Sequence, residues 1–190
     1  MEQIDRDIFL ENISKFNFSI LKDDGIYRHI KFGPHHITTW PGHLCIAGDM
    51  GTYVFSRLPD MFDFFRLSKT FDIDYRYWAE KCLSEDVNCK IRRFDQDRLL
   101  KIVEDILSIK YENQEQSNFH VNFWKEATRD VYTVESGYRL LDDLCSDLGL
   151  DITDYYEYNL TAYSYQFVWI CNLISITISK YDKEKSSDDL

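Results

Sequence analysis

Three turn signals cut residues 18 to 56 into short runs of strand-forming residues, and this constrains the fold more than any other feature. Lys22-Asp23-Asp24-Gly25 separates Phe18-Ser-Ile-Leu21 from Ile26-Tyr-Arg-His-Ile-Lys-Phe32. Pro41-Gly42 separates Ile37-Thr-Thr-Trp40 from Leu44-Cys-Ile-Ala47, and Gly48-Asp49-Met50-Gly51 leads into Thr52-Tyr-Val-Phe55. An Asp-Gly pair between alternating runs is a hairpin signal, because the turn needs backbone angles that glycine adopts without strain. The β-branched and aromatic residues on either side suit a pleated surface. The stretch therefore predicts an antiparallel meander of four or five strands.

Helical spacing dominates elsewhere. Ile4, Ile8, Phe9, Ile13 and Phe16 recur at helix period ahead of the meander. Beyond Arg57, Pro59 opens a short helix ending near Phe65, and Asp74 to Leu83 forms another. Asp95 caps a long helix carrying Leu99, Leu100, Val103, Ile106 and Leu107. Phe119–Val131 and Val134–Leu148 follow, the second stopped by Gly149. A buried apolar helix over about 163–181 closes the chain. A sheet first and helices afterwards is the α+β arrangement, expected here as a single domain over 1–182. Within it 1–66 is the helix plus sheet region and 67–182 the helical region, with 183–190 a frayed tail.

The segment Phe167–Ile178 could be mistaken for a membrane span, but its twelve residues fall short of the roughly 20 needed to cross a bilayer. Charges are mixed through the first apolar positions, unlike a secretion signal. The five cysteines, Cys45, Cys82, Cys89, Cys145 and Cys171, are odd in number, widely spread and without a C-x-x-C pair. Reduced thiols in a cytoplasm fit that usage better than a secreted disulfide framework.

No catalytic motif stands out. His29, His35, His36 and His43 cluster with Cys45 and Asp49. Adjacent His35 and His36 in a strand point to opposite faces, however, so at most one joins His29 or His43. No metal site or cofactor is therefore expected. Gly48-Asp49-Met50-Gly51 lacks the following Lys-Ser/Thr and helix of a phosphate loop. Cys45 and His43, two apart, can share a sheet face, but a nucleophile also needs a third group to orient its base. The sheet region around His29, His43, Asp49 and Arg57 is kept as an alternative small-molecule, nucleotide or metal site.

Charge is more informative. The chain holds 22 Lys+Arg against 33 Asp+Glu, a net −11, which argues against broad phosphate-backbone binding. Residues 1–66 carry 7 basic and 9 acidic side chains, whereas 67–190 carry 15 and 24. Between Asp130 and Leu160, eight acidic residues meet only Arg139, and Tyr132, Tyr138, Tyr155, Tyr156 and Tyr158 interleave with them. An acidic surface studded with tyrosine can steer toward a basic partner and anchor in it. Asp142, Asp143, Asp147, Asp151, Asp154 and Glu157, with Tyr155 and Tyr156 as anchors, are the candidate partner-binding residues. The competing reading is a solvated face that confers solubility.

Several stretches, Leu21-Lys-Asp-Asp-Gly-Ile-Tyr-Arg-His29, Ile37-Thr-Thr-Trp-Pro-Gly-His-Leu44, Gly48-Asp-Met-Gly-Thr-Tyr-Val-Phe-Ser-Arg57 and Asp60-Met-Phe-Asp-Phe-Phe-Arg66, together resemble a family of uncharacterised phage and prophage proteins. Shorter matches stand at Asp154-Tyr155, Tyr165–Cys171 and Lys180-Tyr-Asp182, and the resemblance is absent or loose across 84–150. The resemblance implies an accessory protein acting in a bacterial host's cytoplasm, and carries no activity or catalytic residue. By analogy with other small acidic phage proteins, the expected function is non-enzymatic. The protein would bind a basic host protein in a nucleic-acid-binding defence complex, such as a CRISPR effector, without itself touching nucleic acid or membrane. A third reading is an oligomeric structural accessory with Met61–Phe65 as its interface.

Overall fold

The computed structural model describes residues 4–67, 72–111, 118–151 and 154–188. It is an α+β protein with an N-terminal helix, an antiparallel meander and a helical carboxy-terminal part. The chain divides into two compact units, one of residues 1–91 with 163–190, the other of residues 92–162. This division differs from the single domain split near residue 66 that the composition implied. The last helix belongs with the sheet, not with the other helices.

In the first unit, helix α1 (Arg6–Ser14) is capped by Asp5, whose side chain accepts from the amides of Asp7 and Ile8. Its apolar stripe is narrower than the spacing implied. Phe9 and Ile13 are buried, but Ile8 is 56% exposed. The meander follows as β1 (Phe18–Asp24), β2 (Tyr27–Phe32), β3 (His35–Trp40), β4 (His43–Gly48) and β5 (Gly51–Ser56). Each strand pairs antiparallel with the next, through turns in which Gly25, Gly33, Gly42 and Gly51 have positive φ.

A sixth strand corrects the expected count of four or five. After α2 (Met61–Phe65) and α3 (Tyr75–Glu80), Cys82–Glu85 turns back as β6 and pairs with β5. The expected helix over Asp74–Leu83 is therefore shorter. Two further strands not foreseen from the sequence, β7 (Arg92–Phe94) and β8 (Thr161–Tyr163), form a separate pair.

The final helix, α7 (Tyr165–Asp188), extends through most of the segment expected to fray. From Phe167 to Ile174 every residue is buried, so this part of the helix is covered on all sides. Its polar side chains are satisfied. Asn172 Nδ2 donates to Val168 O at 2.8 Å and to Tyr75 Oη at 2.9 Å, and Thr177 Oγ1 donates to Leu173 O. Among the described residues no helix is long and apolar enough to cross a membrane. Met61, Phe62 and Phe65 are also buried here, with Phe62 edge-on to Tyr181, so these three side chains of the segment serve the core.

One polar knot ties β2 to the helices. The Arg28 guanidinium forms a bidentate pair with Asp60, 2.8 Å at each contact, lies 4.5 Å from the Phe62 ring centre and donates to Tyr181 Oη. Tyr181 in turn donates to Asp23, which also meets Lys185 at 2.6 Å. Asp60 doubles as the cap of α2, accepting from the Phe62 amide. Arg28 holds the Asp60 carboxyl below the ordinary carboxylate range against the opposing pull of burial. Asp23 is lowered likewise, chiefly by Lys185. R28M leaves the partly buried Asp60 without its cation, so the first unit should lose about 3 kcal/mol in urea unfolding. D60N should lose less, since the amide can still cap α2. Because both carboxyls are lowered on folding, this stabilisation is present at neutral pH and disappears only below about pH 4.

Candidate functional site

In the second unit α4 (Gln96–Tyr111), α5 (Asn118–Ala127) and α6 (Val134–Leu148) enclose their own core of Leu99, Val103, Ile106, Leu141 and Leu144. Asp95 caps α4 through the Arg98 amide, as its position before the apolar run requires. A reciprocal pair between Thr133 and Ser136 starts α6, and Gly149 ends it in the left-handed conformation. The unit holds 8 Lys+Arg against 15 Asp+Glu, a balance of −7 for fewer than half the residues.

Helix α6 sorts its residues cleanly. Gly137, Leu140, Leu141, Leu144, Cys145 and Leu148 are buried, while Glu135, Arg139, Asp142, Asp143, Ser146 and Asp147 face outward. At 100° per residue the three aspartates fall within one arc of the helix surface. Gly137 lets this helix pack closely, since a Cβ there would lie 2.8 Å from Leu160.

The three aspartates are not equivalent. Asp147 Oδ2 lies 2.6 Å from His120 Nε2 and accepts from Trp124 Nε1 at 3.3 Å. The other nitrogen of His120, Nδ1, meets the Tyr111 hydroxyl. Asp147 thus holds α5 and the end of α4 to α6, a positioning role that its place in an acidic run did not disclose. Asp142 and Asp143 are exposed on the turn before it, and Asp151 is exposed beyond the helix end.

Tyrosines stand on the other flank of α6. Tyr138 donates to Tyr158 O at 2.9 Å and packs 5.4 Å from the ring of Tyr156, which is 62% exposed. Tyr132 is 74% exposed. Glu157 is exposed in the same single-turn helix, Asp154–Glu157, as Tyr156. Asp154 and Tyr155 belong to that turn, but their side chains lie outside the described residues. Residue-type reasoning missed Phe119 and Phe123, 86% and 54% exposed and one helical turn apart on α5. A helical wheel of this segment carries the signal, with His120 and Trp124 on one face and the two phenylalanines on the next.

The alternative constellation does not assemble. His43 and Asp49 sit at opposite ends of β4, about 20 Å apart at the strand rise. His29 Nε2 lies 2.8 Å from His36 Nδ1, and the His43 ring stacks on Trp40. Arg57 bonds Tyr77 Oη. No group of three or more potential metal ligands forms among the described residues. Cys45 lies half-buried opposite Thr38 and Val54, and burial pushes its thiol above the ordinary range, away from nucleophilic use.

Asp49 instead approaches His35, with Oδ1 3.3 Å from Nε2. The His35 ring is 1% exposed, lies 4.9 Å from the Trp169 ring centre, and neither of its nitrogens makes a well-aligned hydrogen bond. Gly48 makes room for it, since a Cβ there would fall 2.4 Å from the ring. Comparison with protein-family models, with curated proteins and with solved structures gives no match.

Burial, with a small contribution from neighbouring His36, lowers the His35 pKa from its ordinary value against smaller opposing pulls from exposed Asp49 and the Phe32 backbone. The folded protein therefore favours the neutral ring, and the unfolded chain takes up the proton first. Stability should fall as pH drops from about 7 toward 5. H35L should flatten that slope in pH-dependent thermal unfolding, leaving the separate carboxylate transition at lower pH.

Proposed function

We propose that this protein is a non-enzymatic interaction protein, encoded by a phage, whose acidic second unit occupies the basic groove of a bacterial host's nucleic-acid-binding defence complex. A CRISPR effector is the first partner to try, and the host cytoplasm is where the two would meet. The observation that carries this reading is the outward arc of α6. It sets Asp142, Asp143 and Asp147 in a row with Tyr132, Tyr138 and Tyr156 in the same unit.

A row of carboxylates presents acceptor oxygens to Lys and Arg much as a phosphate backbone does. It also raises the encounter rate with a cationic groove. Exposed tyrosines then supply contact area at small entropic cost. Asp147 supports the row by anchoring α5, so it is unsuitable as a probe of binding alone. The acidic residues that report on recognition are Asp142, Asp143 and Asp151, with Glu157 beside Tyr156.

D142K/D143K should fold with unchanged circular dichroism, because both side chains are exposed. It should also lose about tenfold or more of its affinity for a purified CRISPR effector, and its ability to block that effector's DNA in a gel-shift assay. Wild-type binding should weaken as salt rises from about 50 to about 300 mM, since the Debye length shrinks through about 8–10 Å over that range. Equal binding by wild type and variant would remove the acidic face from the reading. D147K should instead lower the melting temperature.

A further inference from the structure

We propose that the outward face of the six-stranded sheet binds a short segment of single-stranded nucleic acid. Alternation along the strands puts Ile30, Phe32, Ile37, Leu44, Ile46, Tyr53 and Phe55 in the core and leaves their neighbours on the opposite face. The residues on that face are half-buried or exposed, and none of Trp40, Cys45, Ala47 and Val54 joins the core cluster.

The face is chemically organised. Across one end, Tyr27, Trp40 and His43 come from three successive strands, with Tyr27 46% and Trp40 38% exposed. The Trp40 and His43 rings stack on each other, 7° from parallel with centres at 5.1 Å, and with Tyr27 make an aromatic pad at this end of the sheet. Farther along the strands stand Lys22, paired with His29, and Lys31, paired with His36. His29 and His36 touch at 2.8 Å. Among the described residues of this face Asp24 is the one carboxylate, in a chain of net charge −11.

That contrast identifies the occupant. Ring side chains on an open antiparallel sheet suit unstacked bases, whose π faces pack on aromatics regardless of sequence. The lysines and imidazoles complement phosphates, while the acidic remainder of the chain repels a long polyanion. The fit is therefore to a few nucleotides of single strand crossing the face. A duplex, whose bases are stacked inside, offers nothing to the pad. This inference is independent of the acidic face on α6, and D142K/D143K serves as the control that separates the two.

The test is fluorescence anisotropy of a labelled homopyrimidine strand of about twelve nucleotides, RNA and DNA in turn, titrated with the full chain at low salt. Trp40 is the exposed indole, against Trp78, Trp124 and Trp169 at 3%, 8% and 3%, so its emission should also be quenched on binding. Binding should weaken about 5- to 100-fold in W40A and, by a smaller factor, in H43A. It should be lost in K22E/K31E and persist in D142K/D143K. With two lysines at the phosphates, log K should fall against log salt with a slope of about −1.4. Melting curves check that each variant folds, as expected for side chains on a solvent-facing surface. The proposal is overturned by absence of binding at low salt, by full binding in both W40A and K22E/K31E, or by equal affinity for duplex. Quenching by a neutral oligosaccharide in place of the oligonucleotide, or equal affinity for a mononucleotide, overturns it as well.

Discussion

The structure depends on covering the carboxy-terminal helix. A segment buried at every position from Phe167 to Ile174 cannot stand at a surface, because each exposed turn would return apolar area to water at about 25 cal/mol per Å². It therefore needs neighbours all round, and the amino-terminal residues supply them. Phe9 of α1 meets Trp169 edge-on, Tyr53 of β5 lies against Phe167, and Tyr75 at the start of α3 supplies the partner that Asn172 requires. The first unit is complete only when the last residues arrive. Its central contacts join residues 97 or more apart in sequence, a topology whose loop-closure cost precedes any gain from packing.

This dependence explains what the sequence disclosed and what it hid. The meander was legible as four or five strands because its boundaries are local events, a glycine at positive φ between runs of period two, although the turn at Gly33 gave no signal that was read. Helix α6 was legible to the residue, since Thr133 and Gly149 mark its ends chemically. The sixth strand was not. Cys82-Leu-Ser-Glu85 has no strand-forming bias of its own and becomes a strand because the edge of β5 lies open beside it. The partners of α7 were hidden for a similar reason. Apolarity on every face says that a helix is buried but not against what, so a boundary near residue 66 separated elements that fold together.

The candidate site was legible in charge and illegible in geometry. Counting carboxylates found the acidic stretch, and the 3.6-residue period places Asp142, Asp143 and Asp147 together without coordinates. Counting did not show that Asp147 is engaged by His120 and Trp124, because that contact joins residues 23 and more apart across two helices. The histidine cluster was legible in part. Strand alternation sends His35 into the core and His36 outward, as adjacent positions in a strand require, whereas the length of β4, which carries His43 and Asp49 to opposite ends, is what keeps the alternative constellation apart.

The same alternation gives the molecule two surfaces of unlike character. A net charge of −11 read as a bulk property describes a protein that keeps away from phosphate everywhere. Resolved by region, the helical unit carries −7 of that charge, while the outward sheet surface carries Lys22, Lys31 and three histidines with Asp24. Potentials near a protein surface decay over a Debye length of about 8 Å at physiological salt. A ligand on the sheet therefore responds chiefly to the side chains beneath it, and the overall charge governs how long a ligand the face tolerates. Net charge bears on solubility and encounter. What binds, and where, is decided by the face.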